Sequence, residues 1–366
     1  MRRACIAGGL ALCLAGCHRE PQEAHHSAIT VDTVPATEVR TTAPDSTIIL
    51  GSPSTATRLS NGNVVIADET DGAIALRVFD STGAHLKDFG HRGHGPGELM
   101  SIGALCRSAG DSLVVLDMDQ QRVLVFSPDG TLDRAITVEP LFKLFCSLSG
   151  MTLAIGPISD FFRPTLQNAG RMEHVPVYLM THGDTIHLYD SLPAVDPRFG
   201  GRVPAFAIAG SRAIIGLADS AFATVFDSSG RELEPIRVSD DPKPQTRTGF
   251  EHVIDAYFAK HPGLANLKQE FLKLPHPDLA PAYFALYGTP DGTLWTQLSE
   301  LDDSIVHLRA SDSLGTTIGD VTLPFPLTIF EIGNDYILGR RENEMGEQRV
   351  VVYRTGRRED GKAGSP

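Results

Sequence analysis

Two stretches of the chain share one pattern, and that pattern decides the fold. The first runs from Asn61-Gly62-Asn63-Val64-Val65-Ile66-Ala67-Asp68 to Leu76-Arg77-Val78-Phe79-Asp80-Ser81-Thr82-Gly83. The second runs from Asp111-Ser112-Leu113-Val114-Val115-Leu116-Asp117 to Arg122-Val123-Leu124-Val125-Phe126-Ser127-Pro128-Asp129-Gly130. Each has a β-branched run that ends at an aspartate, then a second apolar run and a Ser/Asp/Gly turn. Short apolar runs between turn residues predict paired β-strands.

Weaker copies follow at Met151–Ile155 with Val175–Gly183, Ala213–Leu217 with Ala223–Gly230, Gly292–Leu298 with Ser304–Asp312, and Asp335–Gly339 with Arg349–Gly356. The equivalent apolar residues are then Phe79, Phe126, Leu179, Phe226, Leu308 and Tyr353. They lie 47, 53, 47, 82 and 45 residues apart. A four-stranded propeller blade takes roughly 40 to 50 residues. We therefore predict an all-β fold, a six-bladed β-propeller.

The interval of 82 residues contains a helical segment rather than a seventh blade. Thr248-Gly249-Phe250-Glu251 resembles a helix-capping box. Apolar residues then recur with a helical period until Pro262-Gly263, and a second such run ends near Pro275. The sequence predicts a small helical insertion, about residues 246–277, between blades 4 and 5.

Closure of the ring needs a strand from the N-terminal side. The last unit offers only three strands, Leu327–Ile332, Asp335–Arg341 and Gln348–Arg354. The alternating run near Ala28–Val34, or the run Ser46–Leu50, can supply the fourth and remove an open edge. We expect a propeller over residues 43–356, closed by one of these runs and followed by a disordered tail, 357–366.

A family resemblance rests on the first two units. The loop Phe89-Gly90-His91-Arg92-Gly93-His94-Gly95-Pro96-Gly97-Glu98-Leu99, followed by Leu116-Asp117, Arg122-Val123, Phe126 and Asp129-Gly130, resembles the NHL repeat. The match is sharp over roughly residues 60–130 and loose over 131–356. NHL repeats mark six-bladed propellers, among them many bacterial envelope lipoproteins, so the resemblance implies the fold. It implies little about activity, because propellers serve many functions.

The N-terminus has the pattern of an export signal. Arg2 and Arg3 precede an apolar run, Ala4–Leu14, that is too short to cross a bilayer. Leu14-Ala15-Gly16-Cys17 resembles the lipobox of bacterial lipoproteins, which implies cleavage after residue 16 and lipidation of Cys17. Residues 17–42 then form a lipid-anchored tether that can include the closing strand. The residue after Cys17 is His18 rather than the aspartate of an inner-membrane retention signal, which favours the outer membrane of the bacterial envelope.

Charge excludes one class of partner. The 366 residues include 45 acidic and 32 basic side chains, a net charge of −13, and the cleaved chain would carry −15. Nucleic-acid binding needs clustered Lys and Arg, and no such cluster occurs. An acidic body is also repelled by anionic lipid headgroups, so membrane attachment is expected through the acyl chains.

Five residues are candidates for a surface or channel site. His91 and His94 could bind a metal, or they could be exposed residues of a glycine-rich turn. Asp68, Asp117 and Asp219 recur near strand ends, where they could hold Ca²⁺ in the channel, as in the propeller lactonases this architecture resembles, or bond turn amides. Few asparagines are placed to complete a calcium site, so no cofactor is expected, with Ca²⁺ as the alternative.

Other features leave function open. Gly-x-Ser-x-Gly, His-Glu-x-x-His, Cys-x-x-Cys and a phosphate-binding glycine loop are all absent. Cys106 and Cys146 could form a disulfide or remain buried thiols. Trp295, the only tryptophan, is expected between blades rather than at a ligand.

We therefore expect a binding or scaffold module for an envelope protein, peptide or glycan, rather than an enzyme. A metal-dependent hydrolase or lactonase at the channel is the alternative. The helical insertion could also act as a sensing lid over the channel mouth or pack inertly on the blades.

Overall fold

The computed structural model describes residues 29–40, 50–70, 72–156, 173–181, 184–194, 202–260, 262–274, 276–299, 304–343 and 345–357. The predicted signal peptide, Cys17 and residues 358–366 of the predicted tail lie outside these ranges. Two short strands come first, β1 (Ile29–Val31) and β2 (Thr37–Arg40). Twenty-three further strands form six antiparallel sheets with them. The predicted six-bladed β-propeller is confirmed.

Blades 1 to 3 follow in chain order, each as four strands. Blade 1 consists of β3 (Pro53–Arg58), β4 (Val64–Thr70), β5 (Ala73–Phe79) and β6 (His85–Phe89). Blade 2 consists of β7 (Ala104–Arg107), β8 (Leu113–Asp117), β9 (Arg122–Phe126) and β10 (Leu132–Thr137), with a 3-10 turn, Ala109–Asp111, after β7. Blade 3 consists of β11 (Lys143–Cys146), β12 (Thr152–Ile155), β13 (Glu173–Thr181) and β14 (Asp184–Ala194).

Blades 4 to 6 complete the ring. Blade 4 consists of β15 (Pro204–Ala209), β16 (Arg212–Leu217), β17 (Phe222–Phe226) and β18 (Glu232–Arg237). Blade 5 consists of β19 (Tyr283–Gly288), β20 (Leu294–Leu298), β21 (Val306–Ser311) and β22 (Thr317–Leu323). Blade 6 has β23 (Thr328–Ile332), β24 (Tyr336–Glu342) and β25 (Gln348–Arg357).

The ring closes through two N-terminal strands in series. Strand β2 pairs with β25 at residues 349–352, and β1 pairs with its end at residues 355–357. Both lie on the edge of β25 opposite β24, so together they form the outer strand of blade 6. The run near Ala28–Val34 thus contributes β1, whereas β2 was not predicted. Of the other candidate run, Ser46–Leu50, only Leu50 is described, and it is buried outside any strand.

The core is divided into clusters between neighbouring blades. Both faces of each sheet pack against neighbouring blades, so the central strands are largely buried, as in Leu113–Asp117, where every residue is buried. The cluster between blades 5 and 6 contains Trp295, which is 5 % exposed, as predicted. The six clusters link every blade to the next, including blade 6 to blade 1 through Val39, Ile66 and Tyr336. Large buried apolar faces of this kind supply most of the stabilisation of the ring.

The turns between third and fourth strands repeat one device. In blade 1, Oδ1 of Asp80 accepts hydrogen bonds from the amides of Thr82 and Ala84, at 2.8 and 2.9 Å. Asp227 and Asp312 do the same in blades 4 and 5. A glycine at positive φ completes each turn, such as Gly83 at φ 89°. The Ser/Asp/Gly turns of the sequence pattern are therefore aspartate-capped turns.

The helical insertion lies between blades 4 and 5, as predicted. It contains α1 (Arg247–Lys260), a 3-10 helix (Pro262–Leu267) and α2 (Lys268–Phe271). A bridge between Pro244 and Leu279 forms its stem. Its apolar residues, Phe250, Ile254, Phe258 and Phe271, form a small core of their own. Among the described residues, no helix is long and apolar enough to cross a bilayer.

Candidate binding site in the central channel

The first strand of every blade lines a central channel. These inner strands are β3, β7, β11, β15, β19 and β23, and all six contribute residues to one cavity of about 450 Å³. The sheet faces are used in packing between blades, so the channel wall consists of strand edges and the side chains beside them. A cavity of this size lies within the usual range for small-molecule sites, roughly 300 to 1,000 Å³.

The two ends of the channel differ. Antiparallel strands alternate in direction, so every inner strand begins at the end where the chain passes from one blade to the next. We call this end the upper end. It carries Ser54, Lys143, Phe284 and Thr328, as well as the stem of the helical insertion. The lower end carries the ends of the inner strands.

Lys143 is the unusual residue of the upper end. It opens β11, pairs with Ile155 of β12, and is partly buried with its side chain on the channel. Burial alone lowers the pKa of its amine below the ordinary value. The described residues provide it with neither a hydrogen bond nor an ion pair. This ammonium group therefore faces the channel without a partner from the described part of the chain.

Aromatic side chains surround the upper half of the channel. Phe145 lies on the same face of β11 as Lys143, because residues two apart in a strand point the same way. Its ring lies 6.0 Å from that of Phe206 on β15. Phe330 adds an apolar surface from blade 6, and Phe284 is 42 % exposed at the mouth.

A second cavity adjoins the mouth. It lies between blades 5 and 6, has a volume of about 260 Å³, and shares Phe284 and Thr328 with the channel. A ligand in the channel can therefore extend past Phe284 toward the rim of the ring. The exposed phenyl ring is placed to contact such a ligand.

The polar groups of the lower end are engaged with one another. The carboxylate of Glu331 accepts hydrogen bonds from the hydroxyls of Thr57 and Tyr336. Burial raises the pKa of Glu331, and these hydrogen bonds oppose the shift. Nη1 of Arg107 lies 3.2 Å from Oδ1 of Asp111, and this carboxylate also accepts a hydrogen bond from the amide of Ser60 at 3.0 Å. The first set of contacts joins blade 6 to blade 1, and the second joins blade 2 to blade 1.

A disulfide crosses the channel wall between blades 2 and 3. Cys106 lies in β7 and Cys146 is the last residue of β11, and their Cα atoms are 5.7 Å apart. That separation is typical of disulfides. The bond joins two inner strands that share no backbone ladder, so it holds neighbouring blades together at the lower channel. The sequence left this pairing open.

Asp68 and Asp117 have equivalent structural positions. Oδ1 of Asp68 accepts hydrogen bonds from the amides of Gly51 and Ser52, at 2.8 and 2.9 Å. Its Oδ2 accepts one from Nε of Arg77 at 2.8 Å. Asp68 therefore anchors the segment that leads into β3.

Asp117 anchors the segment that leads into β7. It is fully buried and accepts hydrogen bonds from the amides of Met100 and Ser101, at 3.1 and 3.2 Å. The side-chain amide of Gln120 donates a hydrogen bond to Oδ2 of Asp117 at 2.8 Å, and Nε of Arg122 lies 3.5 Å from the same oxygen. Neither Asp68 nor Asp117 lines the channel cavity.

The other candidates do not converge with them. Asp219 lies two residues beyond the position equivalent to Asp68 and accepts a hydrogen bond from Nε of Arg202 at 2.9 Å. His91 and His94 are exposed in the loop before β7, where Nδ1 of His94 lies 3.3 Å from Gln120. Within the described ranges, no three His, Cys, Asp or Glu side chains group closely enough to hold a metal ion.

Sequence reasoning missed Lys143 and Glu331. Each is a single charged residue in an otherwise apolar inner strand, Phe142-Lys143-Leu144-Phe145 and Phe330-Glu331-Ile332. The signal in the sequence is the lone charge within the apolar first strand of each of these units. A charge in an inner strand is costly to bury and faces the channel.

Comparison with known proteins supports the fold. A family model described as a 6-bladed β-propeller matches residues 46–161, which span blades 1 and 2 and the start of blade 3. None of the curated proteins matches the sequence.

Two solved structures cover the ring. A member of the DUF4221 family from Bacteroides vulgatus has a TM-score of 0.54 and 11 % identity, over 91 % of this chain and 100 % of its own. A protein from Bacteroides fragilis described as exported has a TM-score of 0.50 and 13 % identity, over 92 % of this chain and 97 % of its own. At such identities the likeness concerns the fold alone. The chain is similar to these proteins in its propeller fold.

Proposed function

We propose that the protein is a lipid-anchored binding module of the bacterial cell envelope that captures part of a partner in its central channel. The partner is a protein, a peptide or a glycan of the envelope. The observation that carries the proposal is the channel itself, a cavity of about 450 Å³ with aromatic walls and a cation without a partner among the described residues. Sites of this composition, apolar with a few polar groups, are typical of ligand binding.

A binding role is favoured over catalysis by the placement of the other polar residues. Asp68, Asp117 and Asp219 are bonded to turn amides or arginines, and Glu331 is bonded to two hydroxyls. A metal-dependent hydrolase needs three or more ligands that converge on one point. The described residues bring no such set together. In the described part of the chain, no observation favours a metal-dependent site at the channel.

The lipid anchor is supported by the sequence of residues 1–17. The basic start, the short apolar run and Leu14-Ala15-Gly16-Cys17 are the parts of a lipoprotein signal. Replacing Cys17 with Ala is expected to abolish incorporation of an alkyne-labelled fatty acid and to release the protein from the membrane fraction. A C17A variant that still incorporates the label would contradict the anchor.

Obstruction of the channel tests where binding occurs. Thr328 is exposed at the mouth, so Thr328→Trp is expected to narrow the entrance without disturbing a sheet. Glu234→Trp, on the exposed outer strand of blade 4, is the matched control. Peptides, oligosaccharides and small carboxylic acids are screened by thermal shift on the cleaved, unlipidated ring.

Ligands of the channel are expected to stabilise the wild type and E234W but not T328W. Ligands that stabilise all three proteins equally would show that the channel is not the binding site. Deletion of residues 246–277 tests the insertion, because the Gln245 amide and the Asp278 carbonyl, 2.9 Å apart, can close the stem. Loss of binding in this variant would show that the insertion takes part.

A further inference from the structure

An ammonium group that has no partner among the described residues, in a channel with aromatic walls, specifies the charge of its ligand. A buried charge is stable only when an opposite charge or several hydrogen bonds compensate for lost water. The described residues give Lys143 neither, and the carboxylates of the lower end are bonded to other groups: Glu331 to two hydroxyls and Asp111 to Arg107. The upper channel is therefore prepared for one anionic group from outside.

The walls beside Lys143 specify the rest of the ligand. Phe145 and Phe206 form a pair of rings next to it, and Phe284 extends the apolar surface to the mouth. The second cavity, of about 260 Å³, continues from Phe284 between blades 5 and 6. The rings fit an apolar body that extends from a head group at Lys143 toward Phe284, and the second cavity beyond it has a more polar lining, with Gln297 and Arg340.

The charge of the whole protein limits the ligand to few negative charges. With a net charge of −13, the chain as a whole repels polyanions, which favours a ligand with few negative charges. The channel contains a second strong cation, Arg107, but its guanidinium is paired with Asp111 at 3.2 Å. Among the described residues that line the channel, Lys143 is thus the cation without an acidic partner, and it matches one anionic group.

We infer that the upper channel binds a molecule with a single anionic head, a carboxylate or a group of similar charge, on an apolar body. The head accepts a charge-assisted hydrogen bond from Nζ of Lys143, and the body packs on Phe145 and Phe206. A free carboxylic acid and the C-terminus of an apolar peptide share this chemistry. The inference rests on the proposed binding role of the channel and adds the class of ligand.

Dansyl-labelled undecanoic acid is the probe, with its methyl ester as the uncharged control. Fluorescence titration gives the affinity of each for the wild type, Lys143→Met, Lys143→Arg and Lys273→Met. Lys273 is an exposed lysine of the insertion, so K273M removes a cation elsewhere. Circular dichroism confirms that each variant is folded.

The wild type is expected to bind the acid about 10- to 100-fold more tightly than the ester, the range of a charge-assisted hydrogen bond. K143M should lower the affinity for the acid to that for the ester, K143R should restore most of it, and K273M should change nothing. Equal affinities of wild type and K143M for the acid would overturn the inference, as would equal affinities for acid and ester.

The variant T328W separates failure of the inference from failure of the proposed function. If T328W abolishes acid binding and K143M does not, the channel binds but Lys143 does not select the anion. If acid binding survives T328W, or no acid binding occurs at all, the anionic class is overturned, and the thermal-shift screen alone decides whether the channel binds. A leucine-ending peptide, as acid and as amide, shows whether a peptide carboxylate is accepted like a free acid.

Discussion

Replacement of Asp117 with Ala should destabilise the ring strongly, because this carboxylate holds blade 2 to the chain that enters it. Asp117 is fully buried and accepts hydrogen bonds from the amides of Met100 and Ser101, at 3.1 and 3.2 Å. Nε of Arg122 lies 3.5 Å away and has no hydrogen-bond partner of its own. Truncation leaves the two amides without their acceptor and the Arg122 guanidinium without its ion-pair partner, although Nη2 of Arg122 still donates to the carbonyl of Glu98.

The magnitude follows from these contacts. A hydrogen bond to a charged group contributes about 1.5 to 3 kcal/mol, and loss of one partner of a buried ion pair costs about 3 to 5 kcal/mol. Because the contacts share one carboxylate, they are not additive, and we expect a loss of about 3 to 5 kcal/mol for D117A. Asp133, exposed on β10, is the control, and D133A should stay within about 0.5 kcal/mol of the wild type.

Urea unfolding followed by circular dichroism and by Trp295 fluorescence measures the effect. Trp295 lies between blades 5 and 6, far along the ring from Asp117. Coincident transitions by both probes would show that blade 2 unfolds together with the rest of the ring. A loss below about 1 kcal/mol, or a loss equal to that of D133A, would refute the assigned role of Asp117.

Three further predictions concern closure, the disulfide and the lower channel. Val39 is 3 % exposed, whereas Val34 is 75 % exposed. V39D should therefore lower the free energy of unfolding by about 3 kcal/mol or more, and V34D should leave it almost unchanged, as measured by urea unfolding. Equal effects of the two substitutions would contradict closure by β2. The Cys106–Cys146 bond closes a loop of 40 residues, so replacing both cysteines with serine should lower the free energy of unfolding by about 2 to 4 kcal/mol. If a reductant left the midpoint of urea unfolding of the wild type unchanged, that would contradict the bond. Burial raises the pKa of Glu331 above 4.5, so the folded state binds this proton more tightly than the unfolded chain does. Its contribution to stability is present below pH 4.5 and is lost as pH rises through the raised pKa. The stability of the wild type relative to E331Q should therefore fall from pH 4 toward pH 8, as measured by unfolding at each pH, and parallel curves would disprove the shift.

The ring itself could be predicted because its signal repeats. The central strands of each blade are buried on both faces, and they recur with aspartate-capped turns such as Asp80–Gly83 and Asp227–Gly230. Repetition also showed that the long interval before blade 5 was an insertion. Its helical period was visible because Phe250, Ile254 and Phe258 pack on one side of α1.

The closing strand and the candidate site were harder to predict, because both depend on neighbours distant in the chain. Strand β2 has only four residues, and its burial alternates, with Thr37 and Val39 inward, only because blade 1 covers it. Thr37 donates a hydrogen bond to the carbonyl of Ser81, 44 residues away. Lys143 and Glu331 meet in one channel only after six inner strands have formed a ring. A single sequence gives little indication of such contacts.

A crystal structure of the ring with dansyl-labelled undecanoic acid is the most direct test of ligand binding through Lys143. Such binding places the carboxylate about 2.7 to 2.9 Å from Nζ of Lys143. It also places the aliphatic chain against Phe145 and Phe206, pointing toward Phe284. A carboxylate bound at Arg107, or a probe bound outside the channel, would contradict it.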